Sequence, residues 1–331
     1  MDGDLAIRTG ADGSFSLWSE AFQEGFHSGR GALREARETF LRPSQLERFP
    51  SGARLLVVEV CVGTGCNLAL LLEACAARGI VLEWWGLELD PRPLQLALAC
   101  EVFRRPWQPA TLRMLEGLLE HGVWQSDGFT GRLLWGDARQ TLGTLLRERR
   151  GQVELLWHDA FSPRRCPQLW TVEVLGATAN LLAPGGRWIS YSSAAAVRET
   201  LRQLGLQLVA LAIPEMETSA ARGTQWSGGT VASSLPLGAP PLGALPRGAT
   251  PLEAGGGQAV PLWRELSLME RDHLASAAGE PYRDPSGAAT AATILANRLT
   301  AQAEALANGT RFSGGAWRRR WGVQRGEPLQ Q

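Results

Sequence analysis

Four acidic residues stand at or just after the ends of apolar runs, and their surroundings make them the first candidates for chemistry. Glu59 opens the stretch Glu59-Val60-Cys61-Val62-Gly63-Thr64-Gly65-Cys66-Asn67. Small residues in such a turn let the backbone approach a ligand closely, and the helix that follows presents its N-terminal N–H groups. The spacing is not G-x-G-x-x-G, so the dinucleotide fingerprint fits poorly. A carboxylate here suits a ligand with a cationic end and would repel a phosphate. Glu88, in Gly86-Leu87-Glu88-Leu89-Asp90, is placed to accept hydrogen bonds from both hydroxyls of a ribose. Asp137, between Gly136 and Ala138, is either a further ligand contact or a helix N-cap. Asp159 begins Asp159-Ala160-Phe161-Ser162-Pro163, with Trp170 and Thr171 beyond. Such a loop can hold an amine, the carboxylate accepting its N–H bonds and the ring packing against it. His158 beside it has no partner that the sequence identifies and reads as a packing or surface residue.

These residues need a scaffold that brings them to one edge. Residues 54 to 213 alternate short apolar runs with helical patterns, the rhythm of βαβ units. Strands are predicted at Arg54–Val60, Ile80–Leu89, Arg132–Trp135, Val153–Trp157, Trp188–Ser192 and Leu206–Ile213, with Thr230–Ser233 as a candidate seventh. Helices are predicted at Asn67–Arg78 (closed by Gly79), from Pro91 onward, and at Ala138–Arg149, Gln168–Leu182 and Ala194–Leu204. An Ala183-Pro184-Gly185-Gly186 turn follows the fourth of these. The expected fold is α/β, a mostly parallel sheet with helices on both faces and a ligand crevice at the carboxyl ends of the strands. Around this core, 51–233, lie an N-terminal segment 1–50, expected to be loop plus a helix near Gly31–Phe40, and a Pro/Gly-rich linker or insertion, 234–261. The C-terminal segment 262–331 has a helical pattern at Ala288–Ala307 and a basic tail.

Composition narrows the classes. With 331 residues, 44% hydrophobic and 20% charged, the chain is not disordered throughout. Its apolar runs are too short for a membrane helix, and the acidic start Met1-Asp2-Gly3-Asp4 lacks the order of a signal peptide. Five cysteines without CxxC or Cys/His spacing predict reduced thiols and no metal site in a soluble cytoplasmic protein. All 33 basic residues are Arg, which excludes Schiff-base chemistry and a Walker-type loop. Zero net charge argues against nucleic-acid binding over the whole surface and leaves room for a local patch.

The motifs together resemble the methyltransferase domain of bacterial 5-aminomethyl-2-thiouridine tRNA methyltransferases of the MnmC type, over about residues 14 to 232. The family's N-terminal segment reads here Phe26-His27-Ser28, Ala32-Leu33-Arg34-Glu35 and Phe40-Leu41. Its glycine loop is Glu59 to Asn67, with Cys61 in place of the first Gly. Its L-D-G-F-A-P stretch is Asp159-Ala160-Phe161-Ser162-Pro163, continuing without a gap to Trp170-Thr171, with Ala160 in place of Gly. Its P-G-G segment is Pro184-Gly185-Gly186, followed by Tyr191 to Arg198.

The resemblance implies a Rossmann-like enzyme that transfers methyl from S-adenosylmethionine to the aminomethyl group of the wobble uridine in the tRNA anticodon. Glu59, Cys61, Gly63, Gly65, Asn67, Glu88 and Asp137 would bind the cofactor, and Asp159 would be catalytic. Phe161 and Tyr191 would wall the uridine pocket, with Arg164, Arg165 and Arg198 as phosphate or substrate contacts. The five-Arg tail from Arg311, interleaved with Phe312, Trp317 and Trp321, is a second candidate for the nucleic acid, or else a solvated terminus. The chain has no second G-x-G-x-x-G, so it resembles the form without a flavin oxidoreductase domain. The stretch after residue 234 has no counterpart in the family core. Two rivals stand beside this reading. A polyamine synthase-like aminopropyltransferase shares the fold and an Asp after strand four, but would want further acids where Arg164 and Arg165 stand. A non-catalytic cofactor- or RNA-binding protein is the other, opposed by the intact Asp159, Gly63 and Gly65.

Overall fold

The structure is a computed structural model that describes residues 5–212, 228–237 and 262–323. The chain opens with an antiparallel meander of β1 (Leu5–Thr9), β2 (Phe15–Ser19) and β3 (Glu24–Gly25). The sequence reading took this stretch for a loop. In β2 four of the five side chains are buried, so it lacks the in/out alternation that marks a strand. The expected helix follows as Ala32–Glu35, continuing through a π-helical Ala36–Leu41 into a last turn, Arg42–Ser44.

The main sheet begins with β4 (Arg54–Val60), which buries every side chain after Arg54, as a strand covered on both faces must. Then come β5 (Val81–Glu88), β6 (Val123–Ser126), β7 (Phe129–Trp135), β8 (Val153–His158), β9 (Leu182–Ser190), β10 (Gln207–Leu211), β11 (Thr230–Ser233) and β12 (Trp263–Arg264). They order as β12-β10-β11-β9-β8-β4-β5-β7-β6. The centre, β9-β8-β4-β5-β7, is parallel, and β6, β11 and β12 run against it. Register sets Glu59 against Gly86 and Trp157, so the ends of β4, β5 and β8 meet along one edge.

Helices cover both faces: α1 (Cys66–Arg78), α2 (Arg92–Ala99), α3 (Pro109–His121), α4 (Ala138–Arg149), α5 (Val172–Ala179) and α6 (Ala195–Gln203). They enclose two large apolar clusters, one on each side of the sheet. Beyond the sheet lie α7 (Leu268–Ala275), α8 (Ala291–Ala307) and α9 (Gly314–Trp321). No helix among the described residues is long and apolar enough to cross a membrane.

Several predicted boundaries moved. The candidate seventh strand is β11, inserted antiparallel between β9 and β10. Pro184-Gly185-Gly186 lies inside β9, where the pairing with β8 shifts register, so it is an irregular strand and not the expected turn. The helix predicted at Gln168–Leu182 is divided. Pro167–Trp170 forms a 3-10 turn, and the Thr171 hydroxyl accepts the Val174 N–H at 3.3 Å to start α5. The described part of the tail, as far as Val323, is folded: Trp317 of α9 is buried and its indole donates to the Met269 carbonyl at 3.0 Å. Most of the Pro/Gly-rich stretch 234–261, together with Ile213 and Arg325, lies outside the described residues.

Candidate active site

At the carboxyl edge of β4, β5 and β8, covered by the N-terminal segment, lies a cavity of about 310 Å³. The glycine loop forms its floor. Cys61, Gly63 and Gly65 have φ of 68°, 55° and 79°, the left-handed region. A Cβ on Gly65 would lie 2.8 Å from the Leu94 side chain, so this position needs glycine for both its turn and its space. Cys61 adopts that conformation with a side chain, which costs about 1–2 kcal/mol relative to a glycine there.

Glu88 acts on the loop directly. Its carboxylate accepts three backbone N–H bonds, from Gly63 at 2.8 Å, Leu89 at 2.6 Å and Asp90 at 3.0 Å. Burial pushes its pKa up, and these bonds oppose the rise. The residue proposed for the ribose therefore also holds the loop in shape. Replacing Glu88 with Ala should weaken S-adenosylmethionine binding at least tenfold, because hydrogen bonds to a charged group are worth about 1.5–3 kcal/mol each. It should also lower the melting temperature of the ligand-free protein. Calorimetry and a thermal melt check the two effects, and unchanged affinity would remove Glu88 from the cofactor site.

Glu59 stands beneath the cavity and does not line it. It is fully buried, with Oε2 accepting the Trp84 indole N–H at 3.1 Å and Oε1 without a partner among the described residues. Burial, and then the like charge of Asp159, push its pKa up to about 8 against the Trp84 hydrogen bond.

Asp159 follows β8, its N–H bonded to the Val60 carbonyl at 3.0 Å and its Oδ2 accepting the Asn67 amide at 2.8 Å. Burial and the nearby Glu35 raise its pKa well above the ordinary carboxylate range, against the Asn67 bond. Phe161 beside it stacks on Phe22 at 4.4 Å and meets the edge of Phe26 at 5.0 Å. Tyr191 crosses from β9, its hydroxyl donating to the Ala160 carbonyl at 2.8 Å.

Beside Asp90, which lines the cavity next to Glu88, two lining acids of the N-terminal segment escaped the sequence reading as site residues. Glu24 of β3 accepts both the N–H and the hydroxyl of Ser162, at 3.0 and 2.9 Å, and so fastens the meander to the Asp159 loop. Glu35 accepts the Ser28 N–H at 3.0 Å. The available signal was the grouping of these acids with Phe22, Phe26 and Ser28 in a stretch read as loop.

Other predicted residues stand elsewhere. Asp137 is outside the cavity lining and caps α4, accepting the Arg139 N–H at 2.9 Å and its guanidinium at 2.6 Å. Arg139 also pairs with Asp284 at 3.0 Å. Arg198 is no rim residue. It is 1% exposed, bonded to Thr230 and the Gly229 carbonyl at 2.8 Å and paired with Glu270 at 3.1 Å, because this face of α6 packs on β11 and α7. Arg164 and Arg165 are exposed on the loop after Pro163. His158 packs between Trp170 and Trp188, with ring centroids 4.5 and 5.3 Å away, and burial pushes its pKa down to about 3. Packing is its role.

A family profile described as S-adenosyl-L-methionine-dependent methyltransferase matches residues 110–212. The chain is 33% identical over 210 residues to the tRNA 5-methylaminomethyl-2-thiouridine biosynthesis bifunctional protein MnmC of Pseudomonas fluorescens (strain Pf0-1), an alignment covering 57% of this chain and 30% of that protein. The protein of the same name from Chromobacterium violaceum is 30% identical over 204 residues, with the same coverage. The chain thus spans less than a third of the length of these curated relatives. The crystal structure of MNMC2 from Aquifex aeolicus superposes with a TM-score of 0.68 at 25% identity, covering 92% of this chain and 86% of that one. That structural likeness reaches past the sequence match into the C-terminal helices. This chain carries an S-adenosylmethionine-dependent methyltransferase domain that closely matches the methyltransferase domain of MnmC-type proteins.

Proposed function

We propose that the protein methylates the aminomethyl group of the wobble uridine in tRNA. The observation that carries this reading is the Asp159 carboxyl, held by Asn67 in an acid-lined cavity beside the rings of Phe161 and Tyr191. The names of the relatives supply the nucleic acid: they are proteins of tRNA 5-methylaminomethyl-2-thiouridine biosynthesis.

The residues present fit S-adenosylmethionine. The cavity carries Glu24, Glu35, Glu88 and Asp159, its Arg92 is paired with Asp90, and the balance favours a cation. The Cys61–Asn67 loop and Glu88 would hold the cofactor, which when bound supplies a methyl group activated on a positively charged sulfur. The rest falls to the protein. An alkylammonium has no lone pair, and its pKa lies near that of Lys, about 10.4. A carboxylate of ordinary pKa would be a poor acceptor for its proton. Asp159, pushed upward by burial and Glu35, is closer to a match. Once the proton has passed to Asp159, the neutral amine lies against Phe161, and positioning supplies most of the remaining rate.

The test is direct. Purified protein incubated with labelled S-adenosylmethionine and unmethylated tRNA should place one methyl on 5-aminomethyluridine, read by nucleoside mass spectrometry. The ring of acids would also suit a small polyamine, so free diamines belong in the same assay. Label entering diamines and never tRNA would overturn the proposal.

A further inference from the structure

A second cavity, of about 530 Å³, lies behind the catalytic loop. The first cavity is mainly acidic, its Arg92 paired with Asp90 at 2.6 Å; the second is lined by Arg164, Arg298 and Arg318, with Tyr282 and Trp317 as aromatic walls and no carboxylate among the lining residues. The N-terminal end of α6 and the two residues before it, 193–196, complete it, and Ala194 at the N-cap position provides no side-chain cap.

The two cavities share their walls. One stretch of chain gives Asp159, Ala160 and Phe161 to the first and Pro163 and Arg164 to the second. Another gives Tyr191 to the first and Ser193 to Ala196 to the second. Arg164 is three positions after Phe161, so their Cα atoms are no more than about 11 Å apart. A cation-favouring cavity thus adjoins an anion-favouring one at the scale of a nucleotide, the charge pattern of a base bearing an aminomethyl group beside its own phosphates.

We propose that this second cavity binds the phosphodiester backbone of the RNA next to the modified base, with Arg164 from the catalytic loop and Arg318 from α9 as its cationic contacts. The inference rests on the tRNA reading above and deepens it. It gives the C-terminal helices a function: they bring Arg318 and Arg298 to the side of the Asp159 loop. It also replaces the rim expected from sequence, since Arg198 is buried while Arg298 and Arg318 come from a segment more than a hundred residues away. Arg298 donates to the Ala278 and Glu280 carbonyls at 2.7 and 2.6 Å and sits over the Tyr282 ring, so it is better left unchanged in a test.

The experiment compares wild type, R164Q/R318Q and a control of equal charge, R147Q/R150Q. Arg147 and Arg150 are exposed at the far end of α4, toward the start of β8. Binding of a tRNA transcript is measured by fluorescence anisotropy over a range of salt, independently of methyl transfer. Losing two phosphate contacts should flatten the log–log salt slope by about 1.4 and weaken binding at moderate salt at least tenfold. The KM for tRNA should rise with it, while kcat at saturating tRNA and calorimetric S-adenosylmethionine affinity stay at wild-type values. Should R164Q/R318Q fold poorly, R164Q alone is expected to flatten the slope by about 0.7. A slope equal to that of R147Q/R150Q, or salt-independent binding by wild type, overturns the inference while leaving methyl transfer untouched. Steep, Arg-dependent binding of tRNA that is never methylated would instead overturn the proposed function and keep the cavity. Calorimetric binding of millimolar inorganic phosphate that is lost in R164Q/R318Q yet leaves RNA binding unchanged would show a free-anion site and also overturn the inference.

Discussion

Asp159→Asn is expected to bind S-adenosylmethionine as wild type does and to transfer methyl about 10²–10⁴-fold more slowly, the usual contribution of a positioned general base. The amide is nearly isosteric and keeps an oxygen for the Asn67 amide, so the loop that follows β8 should stay in place. What it loses is the capacity to take the ammonium proton. A second readout separates this role from a structural one. In wild type kcat/KM should rise with pH as the carboxyl, held above its ordinary range by burial and Glu35, ionises. In the Asn variant that limb should vanish. Stopped-flow or quench kinetics under single-turnover conditions measure both. A variant as fast as wild type would reduce Asp159 to a loop anchor.

Arg198→Ala is expected to destabilise the fold by about 3 kcal/mol, because removing one partner of a buried pair strands the other. Glu270, 1% exposed, accepts from Arg198 at 3.1 Å and from Arg264 at 2.7 Å. Arg264 remains in the variant, which places the loss at the lower end of the usual range. Exposed Arg202, paired with Glu199 on the same helix, provides the contrast: its removal should cost less than about 1 kcal/mol. Acid adds a check with a definite sign. Glu270 is drawn down to about 2 by Arg198 and Arg264 against its own burial. Its contribution to stability is therefore complete above its unfolded pKa, near 4.3, and is lost as pH falls toward 2. The Arg198→Ala protein should lose less stability than wild type over that interval. Urea titrations at several pH values test the pair. A stable variant with a flattened tRNA salt slope would restore the phosphate contact expected from sequence.

Whereas α3 and the edge strand β6 were not expected, legible in the sequence were the parallel strands β4, β5, β7, β8 and β9, the glycine loop, and the acids at the ends of β4, β5 and β8. These are local signals. A left-handed φ at Gly63 and Gly65, an apolar run covered on both faces at Arg54–Val60, and a helix stop at Gly79 are decided within a few residues of the chain. The irregular β9 and the 3-10 turn before α5 were misread where the same local signals conflict, glycines within a strand and a proline ahead of a helix. Tertiary structure decided which side chains face which neighbours. Asn67 reaches Asp159 across 92 residues, Glu24 reaches Ser162 across 138, and Arg139 reaches Asp284 across 145. No pattern of composition or period encodes such pairs, because each depends on how a whole helix or hairpin is laid against the sheet. Hence Glu24 and Glu35 entered the cavity unannounced, Arg198 turned inward to Glu270, and Asp137 served α4 as its cap. The tail took its place for the same reason: burying Trp317 against α7 offsets the entropy of ordering a basic segment and sets Arg318 beside the catalytic loop.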